Sequence, residues 1–431
     1  MNSENIYVSL DIGTTHVKVV IGEMNGDAFN IIGIGKAEST GIKKGSIVDI
    51  DETVRSIGQA KEQAERMIGL EINSVIVGVT GNHVELQPCH GVVAVSSDNR
   101  EIDDEDIARV LDAAQVIPIP PEREIIDVIP QQFVVDGLDE INDPRGMVGV
   151  RLEVEGTIIT GSKTILHNLL RCVEKAGLQI ADICLQSLAL GSVALSRDEK
   201  NLGVAVIDIG GGSTSVSLFD QGILASTFVL PVGGNHITKD ISIGMRTPTE
   251  EAEKIKLNHG HAFIDDASND ETFDAPKIGS SKADTYSQKD MAYIIEPRMA
   301  EIFEMINNEI QKIGFSELPG GYILTGGTTA MPGVLELAQY ELGYNVRMSI
   351  PDYIGVREPQ YTTSIGLIQF AFHNVKIQGK EVAAAVAGDH QETKAKTKPK
   401  TKSTKEPKDE KPKDDKSMKN KVKDWFGLFF E

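Results

Sequence analysis

The sequence predicts an α/β protein built from two related halves, each interrupted by an insertion, with a charged tract and a short amphipathic helix after them. Two stretches carry the duplication. "IYVSLDIGTTHVKVVIGEMNGDAFNIIGIGKAE" opens the chain, and "LGVAVIDIGGGSTSVSLFDQGILASTFVLP" begins at Leu202. Each reads as an apolar strand ending in Asp-Ile-Gly, a tight Gly/Thr/Ser turn, a second strand, a polar turn and a third strand. Their separation of about 200 residues is far longer than any solenoid period, so it marks two homologous halves and not an array.

The elements follow in order. After the first hairpin, the segment from about Asn82 to Ser162 departs from the pattern of the halves. It carries its own helix in "DDEDIARVLDAAQVI", with Asp103 as N-cap, a Pro-rich turn "PIPPE", and strands in "EIIDVIPQQFVV" and "VRLEVEGTII". This is read as a small inserted α+β domain over 83–162. "KTILHNLLRCVEKAGLQI" has helical spacing at Ile165, Leu169, Leu170 and Val173 and closes the first half, which therefore comprises 1–82 and 163–197. "DICLQSLALGSVAL" reads as a short strand and a helix of small residues. The second half, 198–232 and 299–378, is interrupted at 233–298 by an insertion containing the acidic stretch "FIDDASNDETFDAP", expected to be an exposed, mobile loop.

Composition narrows the function. The chain carries a formal charge of −21, yet residues 391–431 hold thirteen Lys against eight acidic residues, net +5. The body is thus the acidic part and repels nucleic acid and anionic lipid alike, which excludes a nucleic-acid-binding role. Cys89, Cys172 and Cys184 are odd in number and widely spaced, giving neither a disulfide framework nor a metal spacing. They are expected to be buried apolar residues in a reducing cytosol. "MNSENIYVSLDIG" shows no charged-then-apolar leader, and no apolar run reaches the ~18 residues of a membrane span. A cytoplasmic protein is expected.

The chemistry lies in the Gly-rich turns. A turn of Gly with Thr or Ser points backbone N–H groups at phosphate oxygens, and its hydroxyls add donors. That makes Gly13, Thr14 and Thr15 one candidate phosphate cradle, and Gly210, Gly211, Gly212, Ser213 and Thr214 the other. Asp11 and Asp208, at the strand ends, suit a water-clad Mg²⁺. Two such hairpins facing one another would clamp a triphosphate. Gly326 and Gly327 in "YILTGGTTAMPG" let a flat ring approach the backbone closely. Walker, Gly-x-Gly-x-x-Gly, Gly-x-Ser-x-Gly and zinc-type His/Glu patterns are absent, and His16, His83 and His90 are read as structural or surface residues.

This trio of motifs resembles the phosphate-1, phosphate-2 and adenosine motifs of the actin/Hsp70/sugar-kinase superfamily. Their order, their spacing and both insertions are similar, over nearly the whole chain, to the FtsA family of bacterial cell division proteins. The resemblance implies an actin-like duplicated ATPase core of two RNase H-like halves, with ATP and Mg²⁺ as cofactors. In that family's terms the segments above are 1A, the insertion 1C, 2A and the insertion 2B. It implies further that Gly233, Gly234 and Asn235 in "LPVGGNHITKDIS" near the phosphates and ribose. Glu253 and Lys256 in "TPTEEAEKIKLNHGHA" would meet ribose or adenine. Lys18, which alone would be a solvent-facing strand lysine, resembles the phosphate-1 lysine of actin. Where related proteins place a Glu or Gln near the γ-phosphate, this chain has Gln186, whose amide can orient water but not accept its proton. Firm ATP binding with slow or no hydrolysis is expected.

Three classes of function fit such a core: an assembly and adaptor protein of the division machinery, a small-molecule kinase, and a reactivating ATPase. No acceptor-side catalytic carboxylate for a kinase is identifiable, and no peptide-binding domain follows the core. The resemblance implies polymerisation with other copies of the chain through 1C, and capture at 2B of the C-terminal peptide of the ring protein FtsZ.

The end of the chain supplies the remaining partner. Residues 379–416 are read as a disordered charged linker, since 391–417 hold one apolar side chain, Ala395. Residues 417–431, ending "KNKVKDWFGLFFE", are read as an amphipathic helix. At 100° per residue Trp425, Phe426, Leu428, Phe429 and Phe430 share one sector with Met418 and Val422, and Lys419 and Lys421 flank it. A helix of ~14 residues is only ~21 Å long, too short to span, so it is expected to lie in the lipid interface at the cytoplasmic face of the membrane. The FtsA resemblance implies the same ending.

Overall fold

Strand β1 (Ile6–Ile12) is buried on both faces because helices cover both sides of the sheet it centres. The computed structural model describes residues 5–378, apart from 27, 44, 281 and 344, together with Ala385. From β1 the chain runs through β2 (His16–Asn25) and β3 (Ala28–Glu38), then a two-strand ribbon, β4 (Ile42–Lys43) with β5 (Ser46–Ile47). Helix α1 (Ile50–Ile68) starts at the N-cap Asp49, whose carboxylate accepts from the Glu52 N–H, and stops at Gly69 in the left-handed region. It packs closely on β3: a Cβ on Gly35 would lie 1.8 Å from the carbonyl oxygen of Ala60. β6 (Ser74–Val79) returns parallel to β1.

The inserted domain follows: β7 (Glu85–Ala94), α2 (Asp104–Ala114), β8 (Arg123–Val135), β9 (Leu138–Ile141) and β10 (Arg151–Ser162). Its sheet has the order β7-β10-β8-β9 and its own core around Ile107, Phe133, Leu152 and Val154. Asp103 caps α2 in a reciprocal capping box with Asp106. Helix α3 (Lys163–Lys175) then leads into β11 (Gln179–Leu185), α4 (Gln186–Ala194) and α5 (Arg197–Leu202). The first sheet is completed in the order β11-β6-β1-β2-β3.

The second half repeats this plan with β12 (Val204–Ile209), β13 (Thr214–Asp220) and β14 (Ile223–Leu230). After them come α6 (Gly234–Met245), α7 (Thr249–His259), the ribbon β15 (Thr272–Pro276) with β16 (Ala283–Ser287), and the long α8 (Gln288–Ile313). β17 (Gly321–Thr325), α9 (Val334–Leu342), β18 (Val346–Met348) and α10 (Thr362–Ile377) close the fold. The order β14-β13-β12-β17-β18 matches the first sheet strand for strand, including the antiparallel hairpins and the parallel returns.

Two details depart from the sequence reading. The acidic stretch is not wholly loop: its last five residues are β15, where Phe273 and Ala275 are buried and Thr272 and Asp274 are exposed. That two-residue alternation is short and embedded in acidic residues, which masked it. The 298/299 division falls within α8, which continues through Pro297 and buries Met299, Ile302 and Phe303 with Met291 and Ile295 in one core. The three cysteines are buried thiols. Among the described residues no helix is long and apolar enough to cross a membrane.

Candidate functional site

The two Asp-Ile-Gly turns are made alike and touch. Between β1 and β2 the Gly13 N–H donates to the His16 carbonyl at 3.0 Å; between β12 and β13 the Gly210 N–H donates to that of Ser213 at 3.0 Å. A Cβ on Gly211 would lie 1.8 Å from Oγ1 of Thr15, and one on Gly212 would lie 2.3 Å from Cγ2 of Thr14. A side chain at either position would have to push the facing threonine aside.

The cleft between the turns is lined from the first half by Asp11, Gly13, Thr14, Thr15 and Lys18. The second half contributes Asp208, Gly210, Gly211, Ser213, Gly326 and Gly327, and Gln186 enters at the start of α4. Lys18 Nζ donates to Asp11 Oδ2 at 2.7 Å and to the Gln360 carbonyl at 2.9 Å. Gln186 Nε2 donates to the other oxygen of Asp11 at 2.9 Å. Burial works against a charged Lys18, but the Asp11 carboxylate outweighs it and holds the ammonium above the ordinary lysine range. Burial pushes the Asp208 carboxyl up; Lys18 opposes that shift, Asp11 adds to it, and the Thr363 hydroxyl, donating at 3.1 Å, opposes it. His16, half-buried and facing Lys36 and Lys18, is lowered to about 4 and is neutral at pH 7.

Two carboxylates and one ammonium leave the cleft floor negative, which suits a cation bridging to phosphate oxygens. Thr15 Oγ1 is buried without a hydrogen-bond partner, a donor set for an acceptor in the cleft. Among the described residues no group of three His, Cys, Asp or Glu is arranged to hold a metal alone, so Asp11 and Asp208 fit a cation held through water and phosphate.

The remaining sequence-chosen residues stand behind this wall. The Gly210 carbonyl accepts from the Gly234 N–H at 3.0 Å and the Thr328 hydroxyl at 2.9 Å, and the Gly211 carbonyl accepts from the Asn235 N–H at 2.7 Å. Gly233, Gly234 and Asn235 therefore brace the second turn. Lys256 is buried, donating to the Gly234 carbonyl at 3.2 Å, to Thr238 Oγ1 at 2.8 Å and to Glu253 at 2.7 Å. Lys256 and Glu253 form a second rank behind Gly234. Thr214 departs from the expectation of a phosphate ligand: it is fully buried in β13, and its hydroxyl donates to the Val232 carbonyl at 2.8 Å. Trp425, Phe426, Leu428, Phe429 and Phe430 lie outside the described residues. Sequence reasoning missed Thr80, Ser215, Gln360 and Thr363. "PQYTTSI" signals a helix start and nothing more.

The duplicated sheets and the cleft between their hairpin turns are those of the actin-like ATPase fold. The protein in a solved PilM-PilN type IV pilus biogenesis complex is similar at TM-score 0.57 and 17% identity, covering 84% of this chain and 98% of its own. MreB5 of Spiroplasma citri bound to AMPPNP is similar at TM-score 0.54 and 13% identity, covering 86% and 97%. In sequence, the family model for cell division protein FtsA matches residues 205–366, and that for the SHS2 domain inserted in FtsA matches 81–160. Cell division protein FtsA of Bacillus subtilis is 60% identical over 382 residues, 89% of this chain and 87% of that one. That of Escherichia coli is 32% identical over 381 residues, 85% and 90%. The chain belongs to the FtsA family of cell division proteins.

Proposed function

We propose that this chain binds ATP with Mg²⁺ between its halves, polymerises on the cytoplasmic face of the cell membrane at the division site, and tethers the FtsZ ring there. The observation that carries the reading is the contact of the two turns, Thr14 on Gly212 and Thr15 on Gly211, over Asp11, Asp208 and Lys18. Backbone N–H groups of both turns and the hydroxyls of Thr14, Thr15 and Ser213 are the phosphate donors. Asp11 and Asp208 hold Mg²⁺ through water, and Gly326 and Gly327 back the adenine. The bound nucleotide supplies an anionic bridge between the two halves. A relative of the same fold, MreB5, is bound to AMPPNP in one structure and ADP in another, which supports a nucleotide in this cleft.

Gln186 orients water and cannot take its proton, so turnover is slow and the nucleotide acts chiefly as a clamp. Membership of the FtsA family supports self-association and capture of the FtsZ C-terminal peptide at the 2B face. The lipid contact rests on the pattern of residues 417–431. Sedimentation and ATPase assays with lipid vesicles test the whole reading: ATP-dependent filaments that pellet with vesicles are expected. Rapid phosphorylation of a sugar or acetate would replace it with a kinase.

A further inference from the structure

The turn from Glu358 to Thr363 touches residues of both halves beside the cleft. Its Pro359 carbonyl accepts from the hydroxyls of Thr325 at 3.0 Å and Thr362 at 2.9 Å, and both threonines are fully buried. This locks the turn to the end of β17, beside Gly326. Its other contacts point into the site. The Gln360 carbonyl accepts from Lys18, and its side-chain oxygen accepts from Lys36 Nζ at 2.8 Å, the cross-strand neighbour of Lys18. Thr363, itself buried at the start of α10, donates its hydroxyl to Asp208 Oδ2.

We propose that Gln360 and Thr363 are positioning residues of the phosphate and cation site, Gln360 aiming the Lys18 ammonium and Thr363 fixing the rotation of the Asp208 carboxylate. The proposal rests on the ATP and Mg²⁺ reading. An ammonium has three N–H bonds. With one on Asp11 and one on the Gln360 carbonyl, the third has a single direction left. A lysine with its long flexible stem does not keep that direction unaided. Asp208 is held similarly: Thr363 occupies Oδ2, while Oδ1 sits against Gly326, where a Cβ would be 2.2 Å away. The carboxylate cannot swing, so the waters of a bound cation meet a fixed oxygen. Preorganisation of this kind comes from supporting residues that do not touch the ligand.

The test is ATP affinity of the full chain with Mg²⁺ and with EDTA, by calorimetry. In the wild type Mg²⁺ should strengthen ATP binding. In Thr363→Val, which removes a hydrogen bond to a charged group, that strengthening should shrink about tenfold, and Thr363→Ser should restore it. Lys36→Met removes the donor to the Gln360 side-chain oxygen, leaving only the bond of its amide to Glu358, and should weaken ATP about threefold with or without Mg²⁺, because Lys18 faces phosphate directly. If Thr363→Val keeps the wild-type Mg²⁺ effect, or loses affinity equally in Mg²⁺ and EDTA, the positioning role of Thr363 is overturned. Lys36→Met with wild-type affinity overturns that of Gln360, and should Thr363→Val fail to fold, Thr363→Ala carries the same Mg²⁺-against-EDTA test for Thr363. A wild type that binds no ATP under either condition removes the nucleotide reading itself, and this inference with it.

Discussion

The side-chain amide of Gln186 donates to Oδ1 of Asp11 across 175 residues of chain, while Lys18 takes Oδ2. Asp11 is thus gripped on both oxygens, from its own hairpin and from the first residue of α4. A neutral amide here holds the carboxylate and can orient a water, but it removes no proton. Gln186→Ala should therefore lower ATP turnover about tenfold or more while the Kd for Mg·ATP stays within about threefold. Single-turnover hydrolysis measured by rapid quench checks this; an unchanged rate would take Gln186 out of the chemistry.

Contact between the turns makes its own prediction. The added methyl of Gly211→Ala must displace Thr15 Oγ1, with which it would overlap at 1.8 Å. Overpacking of this sort costs roughly 1–3 kcal/mol, so ATP affinity should fall about tenfold or more. Gly211→Val should be worse than Gly211→Ala by titration calorimetry. A series with no dependence on side-chain size would mean that the turns separate freely.

Much of this was legible in the sequence for a definite reason. The hairpins are local: the motif from Asp11 to Lys18 and its partner from Asp208 to Ser215 each fold within a few residues, so strand, turn and strand can be read in order. The N-cap at Asp103 is equally local. What stayed hidden depends on pairs distant in sequence. Thr363 meets Asp208 over 155 residues, and Gln360 meets Lys18 over 342, and neither Thr nor Gln carries a signature of such service. Thr214 misled because a hydroxyl beside glycines fits a phosphate cradle and a buried strand equally well, and only the Val232 carbonyl decides between them.

Asp208 should limit stability while serving binding. Burial places its folded pKa above the ordinary 3.8, so protonation favours the fold. That stabilisation is full below the unfolded pKa and is lost as pH rises through the folded pKa. At neutral pH the carboxylate is a net cost that a bound cation would relieve. Asp208→Asn should then be more stable than the wild type in urea at pH 7.5 without nucleotide. The gain should shrink as pH falls toward 4.5, and Mg·ATP affinity should drop at least tenfold. Lower stability of the variant at pH 7.5 would show that Lys18 already compensates the charge.

The last prediction follows from the proposed membrane helix at 417–431 and the proposed assembly of the chain, and it rests on sequence. A fully buried Leu or aromatic side chain contributes roughly 1.5–3 kcal/mol, and an interfacial helix buries only part of each. So short a helix is unstable in water, and ordering it takes back part of the gain. The net is on the order of one lipid chain, which holds a protein only reversibly. Trp425→Glu or Phe429→Glu should therefore release the chain from vesicles in flotation assays and leave ATP affinity unchanged. Assembly multiplies weak anchors through effective concentration, by about a hundredfold or more for two linked sites. Variants that stay monomeric with residues 417–431 intact should accordingly bind vesicles far less than the polymer does. Equal flotation of monomer and polymer would mean that a single helix suffices, and that attachment does not depend on assembly.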